Sequence, residues 1–203
     1  MLEKSLAILF ALLILATLIN RFLVWRLPER KGDEVTLRIR TWWGIVICFS
    51  LVISGPRWMT LTFFALISFL ALKEYCTLIS VHFPRWLYWV IPLNYLLIGF
   101  NCFELFLLFI PLAGFLILAT WRVFVGDPSG FLHTVSAIFC GWIMTVFTLS
   151  HAAWLLMLPT INIQGGALLV LFLLALTESN DIAQYLWGKS CGRRKVVPKV
   201  SPG

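Results

Sequence analysis

Ser5–Ile19 reads SLAILFALLILATLI, a run with no charge and only a serine and a threonine for polarity. Met1-Leu2-Glu3-Lys4 before it gives it the look of a secretory signal. Asn20-Arg21-Phe22 comes next rather than a small-x-small cleavage site, so the reading is an uncleaved first membrane helix, about 3–24. The rest of the chain agrees. It is 203 residues long, 61% hydrophobic and 12% charged, against about 45–50% and about 25% in ordinary soluble domains. With 17 Phe and 10 Trp as well, the composition is that of an all-α integral membrane protein with lipid-facing surfaces and interfacial belts.

A spanning helix needs about 20 largely apolar residues. Seven stretches approach this: about 3–24, 41–56, 58–75, 84–100, 103–122, 131–156 and 165–181. Ser54-Gly55-Pro56-Arg57 makes a tight turn between the second and third. The fourth and fifth are parted by little more than Asn101-Cys102. Residues 182–203 form a basic tail, and the whole reads as a single polytopic membrane domain, 1–203.

Cations set the expected orientation. With seven spans, Arg26, Arg30, Lys31, Arg38, Arg40, Lys73, Arg85, Arg122, Lys189, Arg193, Arg194, Lys195 and Lys199 all fall on one side. Only Lys4 and Arg57 fall opposite, and Arg21 sits at the inner end of the first helix. The expectation is an N-terminus outside, a cytoplasmic C-terminus, and a multi-pass protein of the cell (inner) membrane. The net charge of +7 therefore speaks of topology, not of nucleic acid. Cys48, Cys76, Cys102, Cys140 and Cys191 form no C-x-x-C pair and read as small hydrophobes or bystanders.

The chemistry concentrates in Thr177–Gly203, TESNDIAQYLWGKSCGRRKVVPKVSPG. Glu178 and Asp181 stand at i, i+3, with Tyr185 at i+7, on one helical face. Carboxylates near membrane depth are costly and by default mark functional sites; the bland alternative is that both mark the helix's emergence into water. Mg²⁺ is commonly held by one or two carboxylates plus substrate phosphates. The tail cations suit phosphate, or else serve as an orienting signal that touches anionic lipid. Gly188-Lys189-Ser190 resembles a P-loop end but fails it, because Ala183 stands where glycine is required. His133 and His151 lie about five helical turns apart and cannot share a metal. Glu74 either faces the Asp181 site or pairs with Lys73 or Arg85.

The order Asn180-Asp181-x-x-x-Tyr185-x-x-Gly188-Lys189-x-x-Gly192-Arg193-x-Lys195-x-x-Pro198-Lys199-Val200-Ser201-Pro202 resembles CDP-diacylglycerol synthases (phosphatidate cytidylyltransferases). In that family an Asn-Asp opens a stretch ending in Ser-Pro-x-Lys-Thr-x-Glu-Gly. Many members have Thr-Gly-Ala between the Asp and the Tyr; here Ile182-Ala183-Gln184 places the chain in a divergent branch. The resemblance implies transfer of a cytidylyl group from CTP to phosphatidate, giving CDP-diacylglycerol and pyrophosphate for phospholipid biosynthesis. It implies Mg²⁺, with Asp181 as catalytic and metal-binding residue. It implies that Asn180, Tyr185, Lys189, Lys195, Lys199 and Ser201 bind substrate. Partners are then CTP, phosphatidate and membrane lipid, with a homodimer left open.

The chain stops before the family's Lys-Thr-x-Glu-Gly and later acids. It is therefore expected to be incomplete at its C-terminus and inactive alone. Asn180, Asp181 and Tyr185 are expected at the cytoplasmic end of the last helix, pointing into a polar cleft. The competing readings are a non-catalytic scaffold or truncated pseudo-enzyme and a small transporter. Against transport, most helices lack central charges and no pair of broken helices appears.

Overall fold

The computed structural model describes residues 2–26, 34–79, 83–125, 130–158 and 163–191, and the regular structure among them is helical. Three long helices come first: α1 (Leu2–Arg26), α2 (Glu34–Ser54) and α3 (Arg57–Leu78). A 3₁₀ segment, Arg85–Trp89, leads into α4 (Val90–Gly99). Next comes one rod, Phe103–Phe124, made of α5 (Phe103–Leu108), a π-helical stretch Phe109–Gly114 and α6 (Phe115–Phe124). A second rod, Phe131–Leu155, repeats that plan with α7 (Phe131–Trp142), a π stretch Ile143–Phe147 and α8 (Thr148–Leu155). The last helix, α9 (Ile163–Cys191), is 29 residues long.

Among the described residues, six helices are long and apolar enough to cross a membrane. The segment expected at 84–100 is the different one. Pro84 caps it and Pro92 removes a backbone donor near its start, so its first turn tightens to i→i+3 bonding. By rise per residue its helical part measures roughly 25 Å. It still returns along α3. Tyr88 packs on Phe69, with ring centroids 5.4 Å apart. At the far end the Arg57 guanidinium donates to the Ile98 carbonyl at 2.8 Å and to Asn101 Oδ1 at 2.6 Å. Asn101 makes the turn with φ 59°, a left-handed conformation that asparagine tolerates better than most residues.

The π stretches have local causes. Pro111 lies inside the first, where its ring and missing N–H disrupt the α-helical ladder. In the second, Thr145 Oγ1 donates to the Gly141 carbonyl and Thr148 Oγ1 to the Ile143 carbonyl, at 2.7 and 2.8 Å. The two rods run antiparallel. Phe103 stacks on Trp154 at 4.2 Å, and Phe115 meets Phe139 at 5.3 Å.

The core lies between α3, α4 and the two rods, around the fully buried Leu72, Phe106, Ile110, Leu118, Ile138 and Val146. Within it the Ser68 and Tyr95 hydroxyls are 2.8 Å apart. Such bonds between membrane helices contribute on average about 0.6 kcal/mol. Tyr95→Phe is therefore expected to lower stability in lipid nanodiscs only slightly, measured as a small drop in unfolding midpoint. A loss several times larger would mean that the hydroxyl does more than bond Ser68.

By contrast, α1, α2 and α9 form a looser flank. Among its described residues α1 buries only Leu13. The alternation of passes gathers Arg26, Arg38, Arg40, Lys73, Arg85 and Arg122 at one end of the bundle. Lys4 and Arg57 lie at the other.

Candidate functional site

The loose flank holds a groove. Between α1, α2 and α9 lies a cavity of about 540 Å³, walled by Leu9, Leu12, Leu13 and Ala16 of α1, by Val35, Arg38 and Trp42 among residues of α2, and by Ala175, Glu178, Ser179 and Ile182 of α9. Two smaller spaces adjoin it, of about 350 and 60 Å³, and Glu178 lines all three. Arg38 lines the two larger ones. One carboxylate and one guanidinium thus stand in a wall that is otherwise almost wholly apolar.

Several contacts hold this wall. The Trp43 indole donates to Thr17 Oγ1 at 3.0 Å, and Thr17 donates to the Leu13 carbonyl at 2.7 Å. Asn20 Nδ2 donates to Thr36 Oγ1 at 3.1 Å. Phe10 and Trp43 rings lie 6.2 Å apart. The far end of α9 is seated by Gly166, whose Cβ position is 2.7 Å from the Leu155 carbonyl oxygen and 2.9 Å from that of Leu156. Ala167 and Val170 are buried beside it.

The groove also gives depth. Glu178, Ser179 and Ile182 share a cavity with Leu12, Leu13 and Ala16, which belong to the apolar run Ser5–Ile19. Glu178, Ser179 and Ile182, midway along α9, therefore lie level with membrane-spanning residues of α1, not with its charged ends.

The expected site residues separate on this geometry. Glu178 is half-buried and faces the groove, while Asp181 and Asn180 are exposed. Residues three apart on a helix differ by about 60° around its axis. That turn is enough to put one acid in the packed wall and the other outside it. The inward-pointing cleft expected for Asn180 and Asp181 is thus not formed within these described elements. The side chains of Tyr185 and Lys189 lie outside the described residues, as do Lys195, Lys199 and Ser201.

Glu74 is exposed on α3. His133 is exposed as well, whereas His151 Nδ1 lies 2.7 Å from the Phe147 carbonyl, beside the Phe106 and Phe147 rings. The sequence marks Arg38 only as an orienting cation; its place on the groove emerges from the α1–α2–α9 packing. Among the described residues no three His, Cys, Asp or Glu side chains gather as a metal site. Glu178 and Asp181 diverge, so the described residues alone do not build a Mg²⁺ shell.

Comparison with known proteins bears on what this flank belongs to. Residues 36–203 match the cytidylyltransferase family. The uncharacterized protein YnbB of Escherichia coli (strain K12) is 95% identical over 203 residues, which is 100% of this chain and 68% of that protein. No solved structure matches. The family match takes in α2 through α9 and the motif that begins at Asn180, and the chain accordingly belongs to the cytidylyltransferase family.

Proposed function

We propose that the chain is a phosphatidate cytidylyltransferase-like protein of phospholipid biosynthesis, converting CTP and phosphatidate to CDP-diacylglycerol and pyrophosphate. The observation that carries the reading is the ordered motif from Asn180 to Pro202, which begins within α9, inside the region that matches the family. In this reaction a phosphate oxygen of the lipid attacks the α-phosphorus of CTP. The bond from that phosphorus to the bridging oxygen breaks, and pyrophosphate leaves. Charge builds on oxygens throughout, so the protein's work is positioning and neutralisation.

In this reading Asp181 would help to hold Mg²⁺, which would neutralise charge on the reacting phosphates. Asn180, Tyr185, Lys189, Lys195, Lys199 and Ser201 bind the nucleotide and the lipid headgroup. The end of the bundle that gathers the cations faces the cytoplasm, where CTP is, and the N-terminus lies outside. A site on a membrane helix that leads into a basic tail suits one substrate that stays in the bilayer and one that is soluble.

The test is conversion of labelled CTP in nanodiscs containing phosphatidate and Mg²⁺, run on this chain and on its longer relative in parallel. Lipid-extractable label with release of pyrophosphate, from either protein, is the expected result. Product from either protein alone supports the reading. Label in neither, with both proteins folded, would sink the reading and favour a non-catalytic membrane scaffold.

A further inference from the structure

Midway through the bundle, far from α9, one polar side chain is left without a partner by the packing. Asn94 of α4 is 0% exposed, and neither its Nδ2 nor its Oδ1 has a hydrogen-bond partner among the described residues. It shares a helical stripe with Leu87, Ile91 and Ile98, at i−7, i−3 and i+4. Those three belong to the apolar core together with Ile110 and Val146. The amide is therefore turned into the bundle, not toward lipid.

Its level is that of the two π stretches. The next residue, Tyr95, has its hydroxyl 2.8 Å from that of Ser68, midway along Arg57–Leu78. Nearer the end of α3, Tyr75 donates to the Ala137 carbonyl of the second rod at 2.8 Å. Ser68 lies seven residues before Tyr75, and on the oppositely running rod seven residues beyond Ala137 is Met144, inside the π stretch Ile143–Phe147. α4 packs on both π stretches, and these pack on one another. Pro111 brings no N–H to the first, so backbone acceptors there outnumber donors. Trp142 opens the second; it is 2% exposed, and its indole N–H is likewise unpartnered among the described residues. The buried hydroxyls nearby are already engaged on their own rod, Thr145 donating to the Gly141 carbonyl and Ser150 to the Phe147 carbonyl, both at 2.7 Å.

A buried amide without a partner is costly, and native proteins meet such groups with protein or with ordered water. Backbone groups that proline and irregular turns set free inside a membrane are met in the same way. We propose that Asn94 is a water-binding residue buried midway through the bilayer. Ordered water accepts from its Nδ2 and donates to its Oδ1, and the remaining water hydrogens go to backbone carbonyls of the two π stretches. The amide and the carbonyls together supply the two to four polar partners that buried water needs. This hydration ties α4 to both rods at the level where each rod departs from α-helical bonding. The inference concerns α4 and the rods, not α9, and holds whether or not the protein transfers cytidylyl groups.

The experiment is hydroxyl-radical marking of the intact chain in nanodiscs, read residue by residue by mass spectrometry. X-ray radiolysis splits water wherever it is bound, and the radicals mark the side chains beside it. Peroxide with an iron chelate makes the same radicals in bulk water only. Tyr95 and Ile98, 3% and 2% exposed, are expected to be oxidised by radiolysis and spared by bulk radicals. Phe124, 85% exposed, is the reference that both sources mark. In Asn94→Leu the radiolytic marking of Tyr95 and Ile98 is expected to be lost, and the unfolding midpoint to fall. Absence of that marking in the folded wild-type chain overturns the proposal. So does equal marking of Tyr95 by bulk radicals, which would mean that the core opens to solvent. A raised midpoint in Asn94→Leu overturns it too, since an amide that holds no water is improved by an apolar side chain of similar size. If Asn94→Leu does not fold, the two radical sources on the wild-type chain decide. The readout is hydration, so a failure here is distinct from a failure to find CDP-diacylglycerol.

Discussion

Asp181→Asn in the longer relative is expected to lower formation of CDP-diacylglycerol by about a hundredfold or more, with unfolding midpoint and helical content unchanged. The magnitude is that of removing one group that stabilises developing charge in a transition state, about 10²–10³ in rate. The unchanged fold follows from position. Asp181 is exposed and packs into neither the core nor the groove wall, so the isosteric amide removes charge and little else. Glu178→Gln separates the two acids. Glu178 is half-buried in the groove between α1, α2 and α9. Its substitution is expected to change the stability of that flank more than the rate at saturating CTP. The measurement is kcat and KM for CTP on both variants, beside thermal unfolding in nanodiscs. If Asp181→Asn turns over normally and Glu178→Gln does not, the reacting acid is Glu178.

How far the sequence can be read depends on which interactions decide each feature. The long helices are legible because a membrane demands about 20 apolar residues and Gly, Pro and charge punctuate them. The tight turn at Ser54–Arg57 and the rods starting at Phe103 and Phe131 lie where those signals put them. The segment at 84–100 is legible as apolar but not as a 3₁₀-to-α hybrid. Its prolines tighten its first turn, and its course along α3 is fixed by contacts from Arg57 and Phe69 that no local signal announces.

Two helix ends also differ. α2 begins at Glu34 and takes in Arg38 and Arg40, and α9 runs to Cys191. In both cases a charged or polar stretch reads as loop by hydropathy, yet contains nothing that stops a helix once begun. The site divides the same way. The acid pair at 178 and 181 is visible from spacing alone. Which acid enters the groove depends on the rotation of α9 against α1 and α2, and that is set by distant contacts at Gly166, Ala167 and Val170.

Gly166→Leu is accordingly expected to unseat α9 and to remove both acids from their places at once. A Cβ at Gly166 would lie 2.7 Å from the Leu155 carbonyl oxygen, 2.9 Å from that of Leu156 and 3.0 Å from Leu156 Cα. These are backbone atoms at the end of α8, which cannot swing aside as a side-chain tip can. Overpacking in a well-filled core costs about 1–3 kcal/mol and more where backbone must move. In a bilayer the displaced helix also finds lipid as apolar as the site it left, so little opposes its departure. Gly44→Leu is the control, since nothing lies within 4 Å of a Cβ built there on α2. The expected outcome is a marked drop in unfolding midpoint for Gly166→Leu alone, with faster permeant labelling of a cysteine at Ser179 on the groove wall. Equal midpoints for the two variants, with Ser179→Cys labelling unchanged, would show that α9 is held mainly by the groove residues rather than by its seat on α8.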